Sequence, residues 1–99
     1  MRYEFHPSAL EEYREAALWY AERDAQVARK FVASVEEAIA RIVEAPHRWH
    51  IVEEDVRRCL TRVFPFGILY TIEVDFLLIV AVMHFSRAPG YWKSRIAER

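Results

Sequence analysis

The residues best suited to chemistry lie in the second half of the sequence, beside a strongly apolar segment. His84 directly follows the apolar run from Phe76 to Met83, so a rigid strand would hold its side chain close to solvent. Neutral imidazole is the usual general base near neutral pH, which makes His84 the first candidate for proton transfer. A histidine at the end of a strand is, however, more often a hydrogen-bonded structural residue.

Three arginines and two aromatic residues add a second kind of chemistry, the binding of an anionic or aromatic target. Arg58 and Arg62 alternate along a predicted strand, and Arg87 follows the apolar run. Guanidinium groups bind phosphate or carboxylate in a two-pronged fashion, so the three are expected across one sheet face as anion-binding residues. Tyr91 and Trp92 follow a Pro-Gly break and are suited to stacking on a base or anchoring a protein interface. The alternative is a solvated arginine face beside an aromatic lid over the core.

The sequence offers little support for other kinds of site. His6, His47 and His50 are scattered without the i, i+4 spacing of a helical metal site, so no metal is expected. There is no glycine-rich phosphate loop and no nucleophile elbow, and no cofactor is expected. Cys59 is the single cysteine, lies in a predicted strand and is expected to be inert. Taken alone, these residues favour a binding module over an enzyme.

Composition limits the architecture and the cellular setting. The 99 residues suit one domain spanning 1–99, and a hydrophobic share of 54% is enough for a core. Neither a signal sequence nor an apolar run long enough to cross a membrane is present, which predicts a soluble, cytoplasmic protein. Residues 1–55 carry seven Lys/Arg and twelve Asp/Glu, whereas residues 56–99 carry seven and three. This split favours a basic face for an acidic partner.

The order of the predicted elements begins with a strand and two helices. Alternating residues from Arg2 to His6 predict a short strand, and Ser8 with Glu11 forms a capping-box pattern for a helix reaching about Arg23. Asp24 is a candidate N-cap for a second helix that ends before Pro46. The short link makes the two helices an antiparallel hairpin.

The second half is predicted to be mainly sheet. Residues 47–55 are expected to form a loop, with Trp49 folded onto the core. Strands are expected over Val56–Phe64, Phe66–Glu73 and Phe76–Met83, and the last is apolar on both faces, as in a central strand. A short helix or an ordered tail follows Gly90. The predicted fold is α+β: an N-terminal strand and a two-helix hairpin on a small, mostly antiparallel sheet, in the order β-α-α-β-β-β.

Four segments, in order along nearly the whole chain, carry a likeness to a known group of proteins. They are Phe5-His6-Pro7, Trp19-Tyr20, residues 56–58 through 64–66 to Tyr70, and residues 81–84 followed by 87–92. Together they resemble the RelE/ParE superfamily, the toxins of bacterial type II toxin–antitoxin pairs that are often described as plasmid-stabilisation proteins. The fold that this resemblance implies is similar to the one derived above.

The resemblance implies two different activities. RelE-like members cut messenger RNA on the ribosome with a set of cations and a tyrosine, whereas ParE-like members inhibit DNA gyrase through protein contacts. By position, Arg58 and Tyr91 match the RelE-like set, but Leu60 and Gly67 stand where cations are expected. The sequence pI near 6.4 is also low for a protein that docks on ribosomal RNA. The likeness is therefore closer to ParE-like members.

The first hypothesis is a ParE-like toxin that binds and blocks gyrase, with Arg58, Arg62, Arg87 and Trp92 contacting the target. The second is an mRNA endoribonuclease, in which His84, Tyr91 and Arg62 form a sparse acid–base set and the arginines bind phosphate. A third is a toxin-fold protein that only binds its partner. The resemblance also implies a cognate antitoxin in a hetero-oligomer, with an acidic, partly apolar segment that wraps the hairpin and covers the basic sheet face.

Overall fold

The computed structural model describes residues 1–97 and contains five strands and three helices in that range. The α+β class predicted from the sequence is confirmed. The elements in chain order are β1 (Arg2–Phe5), α1 (Pro7–Ala21), α2 (Ala25–Glu44), β2 (His50–Glu53), β3 (Val56–Leu60), β4 (Phe66–Ile72), β5 (Phe76–His84) and α3 (Lys93–Ile96).

The sheet has the strand order β1-β5-β4-β3-β2, so the apolar last strand lies inside it, as predicted. β1 runs parallel to β5 and pairs only with its first half, while every other pairing is antiparallel. A β-bulge opposite Leu69 and Tyr70 leaves Val80 as the extra residue of β5. Because the bulge shifts the alternation, Val80 and Ala81 both face the same core cluster.

One face of the sheet, here called the helix face, is covered by α1 and α2. Phe31 is fully buried there and contacts four other aromatic rings, at centroid distances between 4.9 and 6.0 Å. Burying large aromatic side chains supplies much of the hydrophobic free energy of so small a domain. Cys59 is also buried on this face, and burial raises the pKa of its thiol, which agrees with the expectation of an inert cysteine.

The beginnings of the two helices test the capping predictions. The Asp24 carboxylate accepts the backbone N–H groups of Gln26 and Val27, so the predicted N-cap of α2 is confirmed. The prediction for α1 is wrong: His6 is the N-cap, and its Nδ1 accepts the N–H of Ser8 at 3.0 Å. Pro7 occupies the first helical position, where its fixed φ and missing N–H cost nothing, so the helix begins one residue before Ser8.

The other face of the sheet, here called the tail face, is covered by the chain that follows β5. Trp92 and Ile96 from this tail are buried against Val56, Leu69 and Val80. The short C-terminal helix of the prediction is therefore present, and it closes the second side of the central strand.

The two largest differences from the predicted boundaries lie at β2 and at the end of β3. The expected loop over 47–55 contains β2, which pairs with β3 across a tight turn where Glu54 has a φ of 52°. The β2 sequence His-Ile-Val-Glu shows no alternation of apolar and polar residues. Only its pairing with β3 identifies it as a strand. β3 ends at Leu60 instead of Phe64, since the chain turns at Val63 with a φ of 73°.

Candidate functional site

His84 is held in a tight turn with Ser86. Its Nδ1 accepts the backbone N–H of Ser86 at 3.0 Å, and the Ser86 hydroxyl lies 2.7 Å from the same atom. A backbone N–H can only donate, so neutral His84 carries its ring hydrogen on Nε2. The lone pair that a general base would use is therefore occupied, and Nε2 is a hydrogen-bond donor.

Tyr91 lies in the tail and reaches back to the first helix. Its hydroxyl donates to the Glu12 carboxylate at 2.5 Å. Burial and this hydrogen bond raise the pKa of the Tyr91 phenol well above its usual value. A phenol that holds its proton so firmly does not act as a base near neutral pH, and its hydroxyl is already engaged.

Glu12 and Arg95 form the centre of a cluster that sequence reasoning missed. Arg95 donates to both Glu12 carboxylate oxygens, at 2.8 and 3.1 Å, and both side chains are more than four-fifths buried. Glu12 also accepts the backbone N–H of Val82, while Arg95 donates to the Val80 carbonyl. We call Glu12, Tyr91 and Arg95 the Glu12 clasp.

The Glu12 clasp supplies hydrogen-bond partners to the backbone of β5 beyond the end of β1. β1 pairs with β5 only as far as Ile79, so the following backbone groups need other partners. A carboxylate and a guanidinium provide them and tie α1, the strand edge and the tail together. One signal was available: Glu12 stands three residues after the buried Ala9, so a charged side chain lies on the inward side of an amphipathic helix.

Arg62 lies apart from the other candidate residues. Because β3 ends at Leu60, Arg62 leaves the sheet, and its Nε lies 3.9 Å from a Glu37 carboxylate oxygen on α2. Its backbone carbonyl accepts the hydroxyl of Ser34 at 2.8 Å. The expectation that Arg58, Arg62 and Arg87 share one sheet face is therefore wrong for Arg62.

Arg58, Arg87 and Trp92 are brought together on the tail face. They line a cleft of about 290 Å³ between the sheet and the tail, which we call the tail-face cleft. Trp92 is almost fully buried, whereas both arginines are exposed. The Arg87 guanidinium stacks on the Tyr91 ring at 3.9 Å, which holds its side chain in a defined position.

A second cleft, of about 400 Å³, lies between α1 and the uncovered edge of β5. His84 and Arg87 line it together with Trp19 and Tyr20. Arg87 therefore borders both clefts. Neither Tyr91 nor Arg62 lines this second cleft, so the structure does not place the sequence-derived trio of His84, Tyr91 and Arg62 in one site.

Two further properties of the described residues bear on function. Within residues 1–97 there is no cluster of three or more His, Cys, Asp or Glu side chains arranged to hold a metal ion. Across the same residues, the helices are too short or too polar to pass through a lipid bilayer.

Comparisons with known proteins identify the family. The model of the ParE toxin of type II toxin–antitoxin system, parDE, matches residues 3–89. No curated protein gives a significant match. A chain of the chromosomal ParDE TA system from P. aeruginosa shares the fold with a TM-score of 0.73 at 14% identity, covering 85% of this chain and 95% of that chain. The RelE/ParE resemblance is thereby confirmed, and the chain belongs to the ParE toxin family of type II toxin–antitoxin systems.

Proposed function

We propose that this toxin acts by binding and blocking DNA gyrase, and that it does not cut RNA. The observation that carries the proposal is the state of the three candidate catalytic residues. The His84 lone pair accepts from Ser86, the Tyr91 hydroxyl donates to Glu12, and Arg62 lies at Glu37 on α2. The engaged His84 and Tyr91 groups, and the separation of Arg62 from both, favour a binding surface, as does membership of the ParE family. A cytoplasmic location belongs to the same proposal.

Neutralisation by a cognate antitoxin is the second part of the proposal. The outer side of the helical hairpin exposes Leu18 by 63% and Val32 by 37%, beside a groove bordered by Arg14 and Arg29. An apolar strip with basic rims suits an acidic, partly apolar segment that folds as it binds. Leu18→Asp should therefore weaken rescue of growth by the antitoxin without reducing the toxicity of the free toxin.

The test of the gyrase proposal compares supercoiling with translation. Purified toxin is added to gyrase with relaxed plasmid and, separately, to a ribosome-dependent translation reaction in which mRNA cleavage is followed. The proposal predicts loss of supercoiling and intact mRNA. Normal supercoiling together with cleaved mRNA would reject it.

One observation favours a nuclease as the second candidate function. His84 and Arg87 line the same cleft, so a base and an anion-binding group lie close to each other. His84→Asn gives a sharp comparison, since the asparagine oxygen can still accept the N–H of Ser86 while the imidazole is lost. Tyr91→Phe removes the phenolic hydroxyl and keeps the ring. On the gyrase proposal both variants remain toxic, whereas on the nuclease hypothesis both lose growth arrest although they still bind the antitoxin.

A further inference from the structure

The side of α1 that faces away from the sheet carries an exposed row of three residues. Arg14, Leu18 and Glu22 follow one another at steps of four along the helix and its C-cap, so they lie on one face. All three are exposed, Leu18 by 63%. Tyr13 and Tyr20 lie on the opposite side of the helix, where they pack against the core. The row therefore points outward.

The charges at the two ends of this row are not compensated within the described part of the chain. Neither Arg14 nor Glu22 makes an ion pair within residues 1–97. By contrast, the carboxylates of Glu12, Glu36 and Glu37 all have partners in the fold. The row is thus a surface leucine between two uncompensated charges of opposite sign.

The row is complementary to itself when it is reversed. Arg14 and Glu22 lie four positions to either side of Leu18, so an antiparallel copy of the row, centred on the same leucine, brings each arginine to the glutamate of the other copy. A two-fold axis generates this arrangement, because contacts across such an axis are reciprocal. Rows of residues four apart are also the ridges that most often interdigitate between packed helices. The two leucines would meet at the axis, with an ion pair on each side.

The groove beside the row allows a second helix to approach closely. Its floor consists of the small side chains of Ala17, Ala21 and Ala28, and Val32 lies on its far side with 37% exposure. The leucine of a second copy therefore has apolar surface to cover next to Leu18, and covering it removes that surface from water.

We propose that the free toxin forms a two-fold dimer through the outer side of its helical hairpin, with Leu18 at the axis and Arg14 paired to Glu22 of the second copy. The inference goes beyond the proposed function and does not depend on the identity of the target. Because the proposed antitoxin site includes the same groove, the dimer and the toxin–antitoxin complex exclude each other.

The dimer is expected to be weak. Two helices side by side present a face about 20 Å wide, and the 15 residues of α1 give this face a length of about 22 Å. The resulting area of about 440 Å² per partner is about half of that in a stable protein complex. The dissociation constant is therefore expected in the micromolar range or above, and a dilute toxin is monomeric.

Sedimentation equilibrium of the purified full chain, from about 10 μM to about 1 mM, measures the dimer fraction. Leu18→Asp should weaken dimerisation at least tenfold, because it brings two carboxylates together at the axis. Arg14→Glu and Glu22→Arg should each weaken it by a similar factor, because each replaces two ion pairs with contacts between like charges. Glu44→Arg is the matched control: it makes the same change of charge at an exposed position at the end of α2, and it should leave dimerisation nearly unchanged.

A mixture of the Arg14→Glu and Glu22→Arg proteins tests the two-fold arrangement. Each variant alone opposes like charges, but a heterodimer of the two restores both ion pairs, so the mixture should dimerise about as tightly as the unaltered chain. The double variant Arg14→Glu/Glu22→Arg should dimerise as well, since reversing both charges keeps each pair opposite in sign.

Four results would each overturn the proposal: a toxin that stays monomeric up to about 1 mM, undiminished dimerisation of Leu18→Asp, an equal loss in Glu44→Arg, or a mixture no more dimeric than its components. The sedimentation cell contains neither antitoxin nor gyrase. A monomeric toxin that blocks supercoiling therefore refutes the dimer alone, whereas a dimeric toxin that leaves supercoiling intact refutes the gyrase proposal alone.

Discussion

One face of the sheet is covered by a helix of 15 residues and another of 20, whereas the other is covered by a helix of four residues and the loop before it. The helix face has a continuous aromatic core around Phe31. The tail face has a smaller apolar cluster around Trp92, and the tail that supplies it is bound to the rest of the protein through the Glu12 clasp.

The two faces are therefore stabilised in different ways. The helix face gains its free energy from apolar burial, which needs no particular orientation of polar groups. The tail face depends on directional bonds between Glu12, Tyr91 and Arg95, and the same segment holds Arg87 at the cleft. A segment with few buried apolar contacts is expected to open locally at lower free energy than the core.

The largest expected change in stability comes from a substitution in the core of the helix face. Phe31→Ala should lower the free energy of unfolding by about 4 kcal/mol, because it removes a fully buried ring and leaves a cavity. Trp92→Ala should cost less than half of that, since the short tail can move into the vacated space. Urea unfolding followed by circular dichroism measures both. Equal losses would show that the tail face contributes to global stability as strongly as the helix face does.

The Glu12 clasp is expected to have the next largest effect. Glu12→Ala leaves the Arg95 guanidinium buried without a carboxylate and the Val82 N–H without its acceptor, which should cost about 2–3 kcal/mol. Glu15→Ala, which removes an exposed glutamate from the same helix, should change stability by less than about 0.5 kcal/mol.

Hydrogen exchange distinguishes a local role of the clasp from a global one. If the clasp holds the tail, Glu12→Ala should speed exchange at the amides of Tyr91 to Ile96 more than at those of α2. Glu12→Leu combined with Arg95→Met should recover much of the lost stability, because a well-packed apolar pair can replace a buried ion pair. Uniformly faster exchange in Glu12→Ala would show that the two faces are not independent.

The two faces also differed in how far the sequence predicted them. The second helix could be predicted because Asp24 precedes a regular apolar stripe, and both the cap and the burial of Phe31 follow from local spacing. The Glu12 clasp could not, since Glu12 and Arg95 are 83 positions apart and only the tertiary fold brings them together. β2 escaped prediction for a related reason: its turn uses Glu54 at positive φ, where a glycine or asparagine would have been a signal.

The candidate site shows the same limit. The position of His84 at the end of β5 was predictable from the apolar run, but the occupation of its Nδ1 by Ser86 depends on a turn that no periodicity reveals. Arg58 was correctly assigned to the sheet, whereas Arg62 was not, because the end of β3 is set by the turn at Val63. For these two arginines, the presence of the strand was predictable from the alternation of residues, whereas the residue at which the strand ends was not.

The smallest expected effect is a pH dependence that involves one tyrosine from each face. Burial raises the pKa of Tyr70 to about 12, and its hydroxyl donates to the Pro46 carbonyl on the helix face. The pKa of Tyr91 is also raised, by burial and by its bond to Glu12 on the tail face. In the unfolded chain both phenols lose their protons near the ordinary value of 10.0.

Above that pH the unfolded state binds fewer protons than the folded state, so the free energy of unfolding must fall as the pH rises. The contribution of each phenol is fully present below pH 10.0 and is lost as the pH rises through its folded pKa. Tyr70→Phe and Tyr91→Phe should each flatten the decline measured by urea unfolding between pH 9 and 11.5. Because the Glu12 carboxylate repels a Tyr91 phenolate, hydrogen exchange at high pH should accelerate in the tail before the helices. Acceleration in the helices first would mean that a tyrosine of the helix face is the weaker point at high pH: either Tyr70, or Tyr13, whose pKa is also raised by burial and by its hydrogen bond to Glu36.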